Sequence, residues 1–101
     1  MRMWKVDPMR MCDRHLLGEH NEIHMFVGCL LRGKSIAGYI SKGLVEVHSL
    51  RTRHDELVRE MQRRGFRHFS PLPDFEEFSA GLVDVRANEE ELRRRCSRCR
   101  F

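Results

Sequence analysis

Apolar side chains recur at Met9, Cys12, Leu16, Ile23, Phe26, Val27 and Leu30. That spacing holds for about six turns and predicts one long helix. Asp7-Pro8 reads as its start, an acidic cap followed by proline at the first helical position. Gly33 ends it, and Gly18 weakens its interior by roughly 1 kcal/mol relative to alanine. The preceding residues, Met1 to Val6, read as an extended lead-in. Positions 33–48 are punctuated by Gly33, Gly38 and Gly43, which predicts a loop with short turns or extended pieces. A second stripe follows at Leu50, His54, Leu57, Val58 and Met61, capped by Ser49 or Thr52 and stopped by Gly65. Arg51, Arg59 and Arg63 fall mainly off that stripe. After the turn Ser70-Pro71-Leu72-Pro73, Asp74 with Glu77 predicts a capping box for a short helix carrying Phe75 and Phe78, broken by Gly81. Asn88 with Glu91 predicts another box, with Glu89 to Glu91 in the first turn and Arg93 to Arg95 beyond Leu92. The pattern predicts an all-α protein of about three helices with long connections, no clear sheet, and one domain over 1–101.

The first helix carries a polar anomaly. At about 100° per residue with His15 at zero, Glu19 lies near roughly 40° and Glu22 near roughly −20°, while the apolar stripe centres near roughly 80°. His15, Glu19 and Glu22 therefore form a polar row beside or partly within the buried face, where acids are rare. Two readings stay open. The acids pair with arginines as structural ion pairs, or a carboxylate stands at the lip of a site and handles protons.

Composition narrows the class. The chain has 101 residues, is 41% hydrophobic and 34% charged, and contains no apolar run of membrane-spanning length. No apolar signal core follows Met1, so a cytoplasmic protein is expected. Net charge is +4, and arginines cluster at Arg51, Arg53, Arg59, Arg63, Arg64 and Arg67, and again at Arg93, Arg94, Arg95, Arg98 and Arg100. Arginine forks match phosphate geometry, so a polyanionic partner is favoured over a membrane.

Metal chemistry is only half supported. Cys96-Ser97-Arg98-Cys99 supplies half of a zinc site, which Cys12, Cys29 or a histidine could complete, but no second pair has diagnostic spacing. His20 and His24 have ligand spacing, yet the HEXXH pattern fails because Asn21 follows His20. The simplest expectation is four free thiols, no metal and no cofactor.

The stretch Arg14 to Glu22, RHLLGEHNE, resembles the first helix of the pyrimidine-dimer DNA glycosylases of the phage endonuclease V type, with His15, Leu16, Leu17, Gly18, Glu19 and Glu22 matching. Phe26-Val27-Gly28 resembles the step that follows it. Glu56 to Phe66, ELVREMQRRGF, is similar to the family's second long helix, and Val85 to Arg95 is a looser match to its third. The resemblance implies an all-α fold with the N-terminal segment packed between the helices. It implies cleavage of the glycosidic bond at a UV-induced pyrimidine dimer, followed by β-elimination at the abasic site. The nucleophile it implies is the N-terminal α-amine, the essential acid is Glu22, and Arg2, His15 and Asn21 fall at DNA-binding positions. The ungapped register from His15 places the nucleophile at Met1, and Arg2 in second position is expected to block removal of that methionine.

The chemistry suits these residue types. A free α-amine has a pKa of about 7.7–8.0 against about 10.4 for lysine, so it keeps a neutral fraction near neutral pH. Imine formation would expel the base and turn a glycosylase into a lyase. The partner expected is double-stranded DNA with damaged or abasic sites, bound by a monomer. Two departures stand out. The family carries arginines where this chain has Asn21 and Met25, and its aromatic C-terminal segment is replaced here by CSRCRF. These motivate an alternative, a non-enzymatic DNA-binding module on the same fold. Trp4, Tyr39, Phe66, Phe69, Phe75 and Phe78 are expected mostly in the core, with Tyr39 as the candidate to wedge into a base stack.

Overall fold

The computed structural model describes residues 1–68 and 70–101. Four helices and no strand are found among the described residues: α1 Asp13–Leu31, α2 Ala37–Ser41, α3 Leu50–Arg63 and α4 Val85–Arg95. The fold is therefore all-α, as the pattern predicts. Leu16, Ile23, Phe26 and Val27 of α1 bury against Leu50, Leu57 and Met61 of α3, and these two helices form the main packed pair. No described helix is long and apolar enough to cross a membrane.

The helix starts need correction. Asp7-Pro8 opens only a single 3-10 turn, Pro8–Arg10, where the Asp7 carboxylate accepts from the Met9 amide. The long helix begins later, with Cys12 at its N-cap. Asp84, not Asn88, caps α4 by accepting from the Ala87 amide; Asn88 sits inside that helix and is buried. The helix expected after Asp74 does not form. A piece that short gains too few backbone hydrogen bonds to repay nucleation, and it is held as an extended strap. The Arg51 guanidinium bonds the Pro73 carbonyl and lies over the Phe75 ring. At the other end, Val47 donates to the Ala80 carbonyl and Val83 donates to the Glu46 carboxylate. Gly81 has φ +88°, and a Cβ there would fall 2.0 Å from the Val45 carbonyl oxygen, so only glycine lets the strap lie this close. Of the aromatics, Trp4 is buried, Tyr39 packs edge-on against Phe26, Phe66 and Phe75 are half-buried and Phe78 is exposed. Phe69 lies outside the described residues.

The N-terminal segment is packed between the helices. Met3, Trp4 and Val6 are buried, the Met3 amide donates to the Leu44 carbonyl, and Asn88 of α4 donates to the Trp4 carbonyl. Beneath it lies Arg53 of α3, 2% exposed, facing a Glu19 carboxylate that is fully buried. Nε and Nη2 of Arg53 donate to the two Glu19 oxygens at 2.7 and 2.9 Å, and Nη1 donates to the Val6 carbonyl at 2.7 Å. Glu56 and the Met11 sulfur take the remaining protons, so all five guanidinium N–H groups are used. Arg64 does similar work at the far end of α3, bonding Asp13 and the Pro8 and Met11 carbonyls.

Removing one member of the buried pair strands the other charge. Arg53→Leu is expected to cost about 3–5 kcal/mol in denaturant unfolding, and Glu19→Leu with Arg53→Leu together to cost less than the sum of the two single changes. Additive losses would contradict the pairing. Glu60 supplies a pH test. Hydrogen bonds led by Arg63, joined by Arg64, overcome burial and hold its carboxyl down at about 2. A depressed carboxyl contributes stability above its unfolded pKa of about 4.3, and that contribution is lost as pH falls towards about 2. Glu60→Gln should therefore unfold more easily than the parent near neutral pH, with the gap closing through that window. A gap independent of pH would contradict the assignment.

Candidate functional site

A cleft of about 470 Å³ opens between the N-terminal segment, one face of α1 and the end of α4. Gly18 lines it, and a Cβ built there would meet nothing within 4 Å, so the glycine that weakens α1 also leaves the cleft open. The helix passes through this position without a break.

The polar row of α1 divides at the cleft. Glu19 turns inward to Arg53 and is a structural ion pair. Glu22, three residues on, is 32% exposed and faces the cleft, with its Oε1 4.0 Å from the Met1 α-amine. Burial pushes the Glu22 carboxyl above its ordinary range and the Glu19 charge adds to this, while the Met1 ammonium and the Arg2 backbone pull it back. Such a carboxyl can hold or accept a proton at modest cost beside an amine. Glu19 thus meets the ion-pair reading of the row, and Glu22 stands at the cleft.

The other expected residues are placed differently from one another. Arg2 lines the cleft, but its guanidinium lies over the Trp4 ring at 4.0 Å and donates to Glu91 and Asn88 of α4. It is committed to anchoring the N-terminal segment. His15 also lines the cleft and packs edge-on to Trp4. Burial, then Arg95 and Arg14, hold its imidazole below the ordinary value, so it is a neutral ring near pH 7 rather than a cationic clamp. Its Nδ1 faces the Cys12 and Cys99 sulfurs. Asn21 is exposed and lies outside the cleft lining, as does Met25.

Two further cations line the cleft, Arg95 of the C-terminal arginine cluster and Arg14, which the sequence did not single out. Arg14 also lines a second cleft of about 310 Å³ with Arg63, Arg64, Arg98 and Arg100. The arginine clusters separated in sequence thus meet on one surface. Arg14 stands beside His15 in the RHLLGEHNE stretch, which was the available signal for it; nothing in a linear pattern could bring α3 and the C-terminus together.

Among the described residues, two groups of side chains have the composition of metal sites: Cys12, His15, Cys96 and Cys99, and separately His20, His24, His54 and His68. The first completes the CxxC and the second completes the His20/His24 pair, both left short of ligands by the sequence.

Comparison with known proteins gives one family. A family model described as pyrimidine dimer DNA glycosylase matches residues 1–74. No curated protein and no solved structure matches the chain.

Proposed function

Since the chain belongs to the pyrimidine dimer DNA glycosylase family, we propose that it excises pyrimidine dimers from duplex DNA through an imine formed by the Met1 α-amine and then nicks the abasic site. The observation that carries this reading is the approach of that amine to Glu22, 4.0 Å away at the open end of the cleft. The amine lone pair forms a bond to the sugar C1′ as the glycosidic bond breaks and the base leaves with its electron pair. Glu22 stabilises the cationic sugar and passes the proton that opens the ring to the imine. Loss of a C2′ proton then expels the 3′-phosphate by β-elimination.

Arg14 and Arg95 hold phosphates beside the reacting sugar, and Arg98 and Arg100 extend the contact along the backbone. Arg2 acts indirectly, by fixing the segment that carries the amine. Asn21 is solvent-exposed on the same helix as Glu22 and meets the duplex flanking the lesion. The whole chain, 1–101, works as one glycosylase domain, because α4 supplies the anchor for Arg2.

The test is borohydride trapping of untagged protein on duplex carrying one thymine dimer or one abasic site. A covalent adduct mapped to Met1 is expected on both. Acetylating the amine should abolish it, and Glu22→Gln should slow excision by about 10²-fold or more. Salt-sensitive DNA binding with no adduct, unchanged by either treatment, would instead identify a binding module on this fold.

A further inference from the structure

We propose that Cys12, His15, Cys96 and Cys99 bind a structural zinc ion that clamps the end of α4 to the start of α1. The four ligand atoms lie within 4.8 Å of one another. Cys12 and Cys96 sulfurs are 3.8 Å apart, and His15 Nδ1 is 3.2 Å from Cys12 and 3.5 Å from Cys99. Tetrahedral zinc with bonds of about 2.3 Å to sulfur and about 2.0 Å to nitrogen requires separations of about 3.8 Å between sulfurs and about 3.5 Å between sulfur and nitrogen. A disulfide would use two of these groups and strand the others. The Cys12 amide donates to the Cys99 sulfur at 3.3 Å. Four protein ligands close the coordination sphere, which makes the site structural. The clamp is placed to matter for the cleft, because Arg14 adjoins His15 and Arg95 adjoins Cys96 in the chain.

Metal analysis of untagged protein should find zinc that Cys96→Ser with Cys99→Ser removes by one equivalent. Thiol titration of the unaltered chain gives a readout that needs no variant. Of the four cysteines, Cys29 stands outside the cluster, so one thiol should react rapidly before chelation and four after it. Cobalt substitution should produce sulfur-to-metal charge-transfer absorption. Four equally reactive thiols with and without chelator, and no metal lost on Cys96→Ser with Cys99→Ser, would overturn the site.

A separate observation carries a second site. We infer that His20, His24, His54 and His68 hold another divalent transition-metal ion, again with zinc geometry. Their ligand nitrogens lie within 4.8 Å of one another, and Nε2 of His24 and His54 are 3.2 Å apart, close to the separation of about 3.3 Å for two imidazoles on tetrahedral zinc. Nε2 of His20 and of His68 are buried with no hydrogen-bond partner, a costly state for two polar atoms unless a cation takes their lone pairs. His54 Nδ1 bonds the Asp55 carboxylate at 3.0 Å, which fixes its tautomer with the Nε2 lone pair inward, the usual outer partner of a metal-bound histidine. The ring of four joins α1, α3 and the segment after α3.

Zinc titration of chelated protein, followed by the rise in unfolding temperature, should show two breaks. His24→Asn with His68→Asn should leave one break, accompanied by the sulfur-to-cobalt band of the thiolate site. A single break in the unaltered chain, with that band saturated at it, would overturn the histidine site and leave the cysteine site standing.

Discussion

The buried Arg53 guanidinium is the constraint on which the cleft depends. It ties together α1, α3 and the N-terminal segment, through Glu19, its own helix and the Val6 carbonyl. A charge in that position is not an efficient source of stability, since a packed apolar trio could bind the same helices as tightly. What it supplies is direction. A guanidinium has five protons in a fixed plane, and each acceptor must come to one of them. The extended N-terminal segment has no ladder of its own, so this plane, together with Leu44 and Asn88, sets its path and delivers Met1 to Glu22.

The cleft then sorts its charges by depth. Carboxylates sit on the α1 floor and cations stand around the rim, with Arg14 shared between two concavities. This order suits a polyanion whose phosphates remain outside while a sugar enters. The Arg2 guanidinium, which lines the same cleft, bonds Glu91 and Asn88 rather than Glu22.

The helical core was readable because burial imposes a period: Leu16, Ile23 and Phe26 on one helix and Leu50, Leu57 and Met61 on the other sit where the spacing puts them. The polar row on α1 was readable for the same reason, although only the fold separates Glu19 from Glu22. Arg53 was not. An arginine on an amphipathic helix reads as solvent-facing, and its burial depends on acceptors 34 and 47 residues away. The metal-type clusters were half-visible, each as a pair with local spacing whose remaining ligands come from distant elements. The helix expected after Asp74 failed because local capping signals cannot register that Arg51 and Glu46 hold this segment extended. The family match stops at residue 74, so α4 and the C-terminal cysteines rest on the fold alone.

The stitching of the two chain ends has a consequence for biosynthesis. Arg2 is held by Glu91, the Trp4 carbonyl by Asn88, and the Arg10 carbonyl accepts from the Arg100 amide. Closing loops of this length is slow relative to forming either long helix. Residues 2–10 are therefore among the last to find their place. The contacts that fix them are complete only once α4 and Arg100 have docked. A nascent chain carries every residue of the α1 motif long before it carries a finished cleft.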